Sequence, residues 1–197
     1  TDQDRPDRVE VKPDQLTLIT RLTRDAMRQI VPGPLQVMDW LNKEIGDAIK
    51  AGKDHIEWTT PSGFCVKQDL RKVNTERIDT FLMGRIALRI GTSLGAPDLK
   101  HHKNAGAPNL IHSMDASILQ IGLVDFDQPF TVIHDSVLCG ANHMDDMQTA
   151  VRKAYVEIFL HNSPLHDFAD AIGAKTDPPM EYSFDPSTVT DSTYFFS

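Results

Sequence analysis

Three consecutive residues, His134, Asp135 and Ser136, stand between two apolar, β-favouring runs, Phe130-Thr131-Val132-Ile133 and Val137-Leu138-Cys139. With Gly140 closing the second run, the stretch predicts a tight hairpin with the polar triplet at or beside its bend. Chain neighbours cannot form a hydrolase triad, because on extended backbone His134 and Ser136 face one side and Asp135 the other. A single carboxylate on a hairpin that reads as buried needs compensation for its lost hydration. A hard divalent cation supplies it, since such ions take carboxylate oxygens. The other reading, which these residues favour when taken alone, is an acidic residue in a solvated turn.

A second polar group lies in Asn109-Leu110-Ile111-His112-Ser113-Met114-Asp115. This stretch is expected to open a helix running to about Leu123, with Ser113 as N-cap and Asp115 favourably charged in the first turn. His112 by itself reads as a histidine packed at the start of that helix. The adjacent pair His101-His102 is poorly arranged to chelate one ion and reads as structural. Cys65 and Cys139 are the only cysteines. They lie far apart with no CxxC spacing, which argues against a zinc site or a disulfide scaffold and for a reducing compartment.

The elements that must position these groups follow from composition and pattern. The 197 residues are 40% hydrophobic and 24% charged, which suits one globular domain or two small lobes. No apolar run approaches the ~20 residues of a membrane-spanning helix, and the opening Thr1-Asp2-Gln3-Asp4-Arg5 is unlike a signal peptide. The net charge of −8 argues against simple nucleic-acid binding. Its distribution does not: residues 53–103 hold nine Lys/Arg against six Asp/Glu, whereas residues 125–197 hold three against twelve. The basic middle can meet phosphates; the acidic end needs cations to do so.

In chain order, residues 1–13 read as a flexible polar leader. From Asp14 the apolar spacing of Leu16, Ile19, Met27 and Ile30 predicts a helix, broken at Pro32-Gly33-Pro34. A second helix starts near Pro34, with Val37, Met38, Leu41, Ile45, Ala48 and Ile49 as its stripe and Gly52 just past its end. Residues 55–59 and 64–67 predict a hairpin turned by Thr60-Pro61-Ser62-Gly63. The following segment carries Arg71, Lys72, Arg77, Arg85 and Arg89, with Leu82, Ile86 and Ile90 expected to face a core. Its cations are either a phosphate-contacting surface or an ordinary solvated face. Residues 91–108, rich in Gly, Pro, Lys and His, predict a loop and a boundary between lobes. Beyond the hairpin, Asn142 or Asp145 is expected to cap a helix to about Leu160, with Met147, Val151, Ala154, Tyr155 and Ile158 inward. A shorter helix with Leu165, Phe168, Ala169 and Ile172 should stop at Gly173. A Pro-, Asp- and Thr-rich connector then leads to an apolar end.

Several motifs in order resemble one family. Trp58-Thr59-Thr60-Pro61-Ser62-Gly63-Phe64, then Ala107-Pro108-Asn109-Leu110-Ile111-His112-Ser113-Met114-Asp115, then His134-Asp135-Ser136 and a short aromatic tail resemble the C-terminal part of phage-type and mitochondrial single-subunit DNA-dependent RNA polymerases. Met38-Asp39-Trp40-Leu41 is similar to a helix there, and the resemblance runs over about residues 14–197. It implies an α/β (α+β) fragment of a polymerase right hand, with a helical fingers-derived lobe over 14–108 and a palm-derived lobe over 109–197. The palm sheet would be incomplete, leaving an edge and an apolar patch for the missing half.

Carried over by resemblance, Asp135 would be one of two aspartates binding a catalytic pair of Mg²⁺ ions. His134 would support the hairpin near the RNA 3′ end, and Ser136 would assist. His112 would help recognise the ribose 2′-OH of the incoming nucleoside triphosphate. Tyr194, Phe195, Phe196 and Ser197 would form a C-terminal foot packing back towards the site. The implied partners are a DNA template, the RNA product, nucleoside triphosphates and a complementary polymerase subunit or half, with no membrane. The implied place is the cytoplasm of an infected bacterial host, with mitochondria second.

The chain departs from the family pattern at Ile118, where a His is usual, and at Val137, where a Phe is common. The family's other aspartate motif and its Lys/Tyr helix lie upstream of anything found here. The chain alone is therefore expected to be inactive, and the leader 1–13 fits the start of a separately encoded subunit. Two other readings are a family A DNA polymerase palm fragment, against which Ser136 and the His112 motif speak, and a non-catalytic nucleic-acid-binding remnant.

Overall fold

A computed structural model of the chain describes residues 12–81, 85–179 and 184–193. Its spine is a 25-residue helix, α3 (Leu99–Leu123), with α2 and α4 packed along it. At 1.5 Å per residue such a helix is about 37 Å long, enough to span two packing clusters.

The larger cluster gathers α2 (Pro32–Lys50), strand β1 (Ile56–Thr59), the first half of α3 and α5 (Pro164–Ile172). Leu41, Ile45, Ile56, Leu110, Phe168 and Ile172 are buried there. Burial of each such side chain stabilises by about 1.5–3 kcal/mol. The Trp58 and Phe168 rings meet edge to face at 5.3 Å. The Trp58 indole N–H donates to Ser113 Oγ (3.0 Å) and that of Trp40 to the Thr176 carbonyl (3.0 Å). Two glycines let elements close in: a Cβ on Gly106 would land on Ile45 of α2, and one on Gly122 would meet the α4 backbone at 3.2 Å. The second cluster joins the end of α3 to α4 (Met144–His161) through Leu119, Leu123, Met147 and Val151. On α4 the expected stripe is found, with Met147, Val151, Ala154 and Ile158 buried and Tyr155 half-buried against Phe159. A 3₁₀ helix (Pro186–Asp191) lays Val189 against the same helix.

The strands form three separate antiparallel pairs: β1 with β2 (Cys65–Gln68), β3 (Arg71–Phe81) with β4 (Arg85–Pro97), and β5 (Phe130–Ile133) with β6 (Ser136–Cys139). No parallel pair exists among the described residues, so the arrangement is α+β rather than α/β. Helix α1 (Pro13–Ile30) and the break before α2 follow the sequence, with Pro32 rather than Pro34 at the first helical position. Gly52 (φ 105°) and Gly173 (φ 66°) end α2 and α5 in the left-handed region, as expected.

Residues 91–108 are not a loop: β4 runs to Pro97 and α3 begins at Leu99, so the chain crosses residue 108 inside a helix. Asp98, not Ser113, caps α3, its carboxylate accepting from the His101 N–H at 3.0 Å. Ser113 sits mid-helix, its hydroxyl donating to the Leu110 carbonyl at 2.7 Å. Ile86 and Ile90 face solvent on a strand rather than a core. Neither Asn142 nor Asp145 caps α4; a 3₁₀ turn (Ala141–His143) leads in, and Asp145 and Asp146 lie in the first helical turn.

Candidate functional site

The β5–β6 pair closes in a two-residue turn. Ile133 pairs with Ser136, leaving His134 and Asp135 as the bend. Ser136 starts β6, so the triplet is not the extended, alternating stretch expected from its sequence. His134 has φ 57°, the only non-glycine left-handed residue among those described. Such backbone is uncommon outside Gly, Asn and Asp, and it turns the chain within two residues.

Register sorts the hairpin into two faces. Phe130, Val132, Val137 and Cys139 share one face, and Val137 and Cys139 pack on the α3–α4 cluster beside Ile118 and Phe126. Phe126 and Phe130 meet edge to face at 5.9 Å. Ile118 packs against the same cluster as the hairpin. The opposite face, with Ile133, Leu138 and Ser136, is open. The hairpin is therefore not buried, and Asp135 is exposed. Its charge keeps its hydration and needs no compensation for burial, because the turn projects from a pair of strands seated along one side only.

Helix α3 brings His112 and Asp115 near this turn. They are three residues apart, on one helical face. Burial pushes the Asp115 carboxyl above the usual carboxylate range; the charge of Asp135 adds to that rise, and His112 opposes it. Asp115, His112 and Asp135 therefore share one electrostatic neighbourhood, joining two motifs that lie apart in sequence. Asp115 was read from sequence only as a helix-start charge; its spacing from His112 was the available signal. His112 is exposed on α3 rather than packed at a helix start.

No group of three or more His, Cys, Asp or Glu among the described residues is arranged to hold a metal ion. Asp135 offers one solvated carboxylate, and Mg²⁺ bound by protein usually takes one or two with its remaining positions filled by water and phosphate oxygens. The donor set thus fits a share of a metal site, not a whole one. Tyr194, Phe195, Phe196 and Ser197 lie outside the described residues.

The third feature is the long β3–β4 ribbon, whose strands pack chiefly on each other. One face presents Val73, Thr75, Arg77 and Asp79 with their partners Ser93, Gly91, Arg89 and Ala87; the other presents Ile78 opposite Leu88, with Ile86 and Ile90. Arg77 and Arg89 are directly opposed and exposed, an arrangement of like charges that is unfavourable in isolation. Arg77 Nε is 3.3 Å from an Asp79 carboxylate oxygen. Among the described residues no helix is long and apolar enough to cross a membrane.

Comparison with known proteins agrees with the sequence resemblance. Residues 7–181 match the family described as DNA-dependent RNA polymerase. The chain is 29% identical over 180 residues to the DNA-directed RNA polymerase of Pseudomonas phage phiKMV, covering 89% of this chain and 22% of that one. It is 28% identical over 185 residues to DNA-directed RNA polymerase 3, chloroplastic, of Nicotiana sylvestris, covering 90% and 18%. It is 27% identical over 185 residues to DNA-directed RNA polymerase 2A of Nicotiana tabacum, covering 90% and 54%. The chain spans about a fifth of the length of the first two of these relatives. On the match of nearly its whole length, the chain belongs to the phage-type DNA-dependent RNA polymerase family.

Proposed function

We propose that this chain is the C-terminal catalytic portion of a phage-type RNA polymerase, extending RNA on a DNA template together with a partner that supplies the other catalytic aspartate and the Lys/Tyr helix. The observation that supports this most is the solvated Asp135 at a two-residue turn, in electrostatic reach of the helix carrying His112 and Asp115.

In this reading Asp135 holds Mg²⁺ jointly with donors from outside the chain. Two such ions, when bound, stabilise the attacking and leaving oxygens of nucleotidyl transfer. The left-handed turn at His134 fixes the direction in which Asp135 projects, and Ser136 anchors the first pair of β6. His112 contacts the ribose 2′-OH, the group that separates RNA from DNA precursors. The opposed Arg77 and Arg89 suit a nucleic-acid phosphate between them, on a two-stranded ribbon of the kind a DNA major groove admits. The fingers-derived and palm-derived segments 14–108 and 109–197 belong to the same reading, with α3 as their common helix.

Uncovered apolar surface suits a complementary half. No residue of α1 is buried, and Leu16, Ile19, Leu22, Met27 and Ile30 are exposed on it, as are Ile133 and Leu138 on the hairpin. The likeness to a phage enzyme supports an infected bacterial cell as the place of this work.

The test is partner-dependent RNA synthesis. The purified chain alone should incorporate no nucleotide. The assembled polymerase with Asp135→Ala should lose activity by at least about a hundredfold, the scale of several kcal/mol of lost charge stabilisation. Retained activity in that variant would leave Asp135 a structural residue and end this reading.

A further inference from the structure

The foot of the β3–β4 ribbon is joined to α3 by a buried polar network that the catalytic reading does not use. His102, with no exposed surface, and Gln68, at 4%, lie at its centre. Gln68 Nε2 donates to the His102 carbonyl at 3.0 Å and lies 3.1 Å from the ring Nδ1. The Leu70 N–H donates to His102 Nε2 at 3.3 Å. Asn109 Nδ2 donates to Gln68 Oε1 at 2.8 Å. The Asp98 N–H donates to the Leu70 carbonyl at 2.8 Å, tying the outgoing end of the ribbon to its incoming end.

These bonds matter because little else holds the ribbon. Its strands are exposed along their length and pack chiefly on each other. A two-stranded ribbon that leaves the body through Gln68-Asp69-Leu70 and returns at Asp98 pivots unless its foot is fixed. The network supplies that fixation, and a buried, hydrogen-bonded set of this kind has one low-energy arrangement. It anchors the ribbon to the same rigid helix that bears His112.

We infer that Gln68, His102 and Asn109 are positioning residues: they set the angle between the ribbon and α3, and hence the placing of ribbon-bound nucleic acid relative to the Asp135–His112 site. The consequence for nucleic acid rests on the polymerase reading; the setting of the angle does not. Burial holds the His102 ring below the ordinary histidine range, so it stays neutral, and its one acceptor nitrogen, Nε2, takes the Leu70 N–H.

The experiment measures the angle in the 197-residue chain without nucleic acid. With Cys65 and Cys139 replaced by Ser, spin labels at Ala87→Cys on the ribbon and Ala116→Cys on α3 report one distance distribution. His102→Leu is expected to broaden it about twofold or more, as a freed segment samples new orientations, and His102→Gln, which restores an acceptor, is expected to recover most of the narrow distribution. An unchanged width in a folded His102→Leu chain overturns the inference, as does a Gln variant as broad as the Leu one. If His102→Leu fails to fold, Asn109→Ala removes one bond from a half-buried position; broadening there supports the inference and an unchanged width overturns it. Failure of the polymerase reading would appear instead as Asp135→Ala retaining synthesis, with the distances intact.

Discussion

Asp135, at the tip of the β5–β6 turn, raises the proton affinity of Asp115 on α3, although the two residues belong to different elements. Burial is the larger cause of the rise and Asp135 a further one. Removing the Asp135 charge should therefore lower the Asp115 pKa without returning it to the exposed value. Carboxyl-carbon NMR titration of Asp115 in the parent chain and in Asp135→Asn measures this directly. An identical titration in the two would show that the hairpin does not sit within reach of α3.

Glu44 of α2 is buried, yet its carboxyl is held down at about 2. Burial alone would raise it, but Lys43 Nζ (2.5 Å), the Lys175 N–H (2.7 Å) and the Thr176 hydroxyl (2.7 Å) outweigh that. A folded pKa below the unfolded one contributes stability that is present above the unfolded value near 4.5 and is lost as pH falls towards 2. Thermal unfolding should show a loss on the order of 2 kcal/mol across that window. In Glu44→Gln the slope should flatten over the same window.

Gly106 lets α3 approach α2, because a Cβ there would fall on Cδ1 of Ile45. Gly106→Ala should destabilise by about 1–3 kcal/mol through overpacking. Ile45→Val deletes the clashing methyl, so the double variant should be more stable than the sum of the two single effects predicts. Urea denaturation of the four proteins completes the cycle, and strict additivity would refute the contact.

On the ribbon, Arg89→Ala in the assembled polymerase should weaken binding to duplex DNA and reduce the magnitude of the log–log salt slope by about one, the value for one lost phosphate contact. Arg77→Ala should do the same. An unchanged slope in both would assign these cations to a solvated face.

Some of this was legible without coordinates. Local chemistry marked the Gly52 and Gly173 helix ends, the Thr60-Pro61-Ser62-Gly63 hairpin, the α4 stripe and the bend at His134 and Asp135, because each depends on residues within one or two turns of chain. The expectation that Ile86 and Ile90 face a core failed, because regular apolar spacing does not show whether any element covers that face, and Leu82 lies outside the described residues. The alternation of Ile86, Leu88 and Ile90 with Ala87 and Arg89 was the better signal for a strand. Glycines and prolines over 91–108 suggested a loop, whereas Gly106 serves close helix packing.

By itself the sequence determined the family and the identity of the chemical groups, through ordered motifs whose residue types carry their own chemistry. Tertiary structure alone decided how those groups relate. It placed Asp115 with Asp135, packed Ile118 against the same cluster as the hairpin, left Asp135 solvated and joined His102 to the ribbon's foot. Each of these depends on which surfaces a 25-residue helix brings together, and that is a property of packing between distant segments rather than of any local stretch.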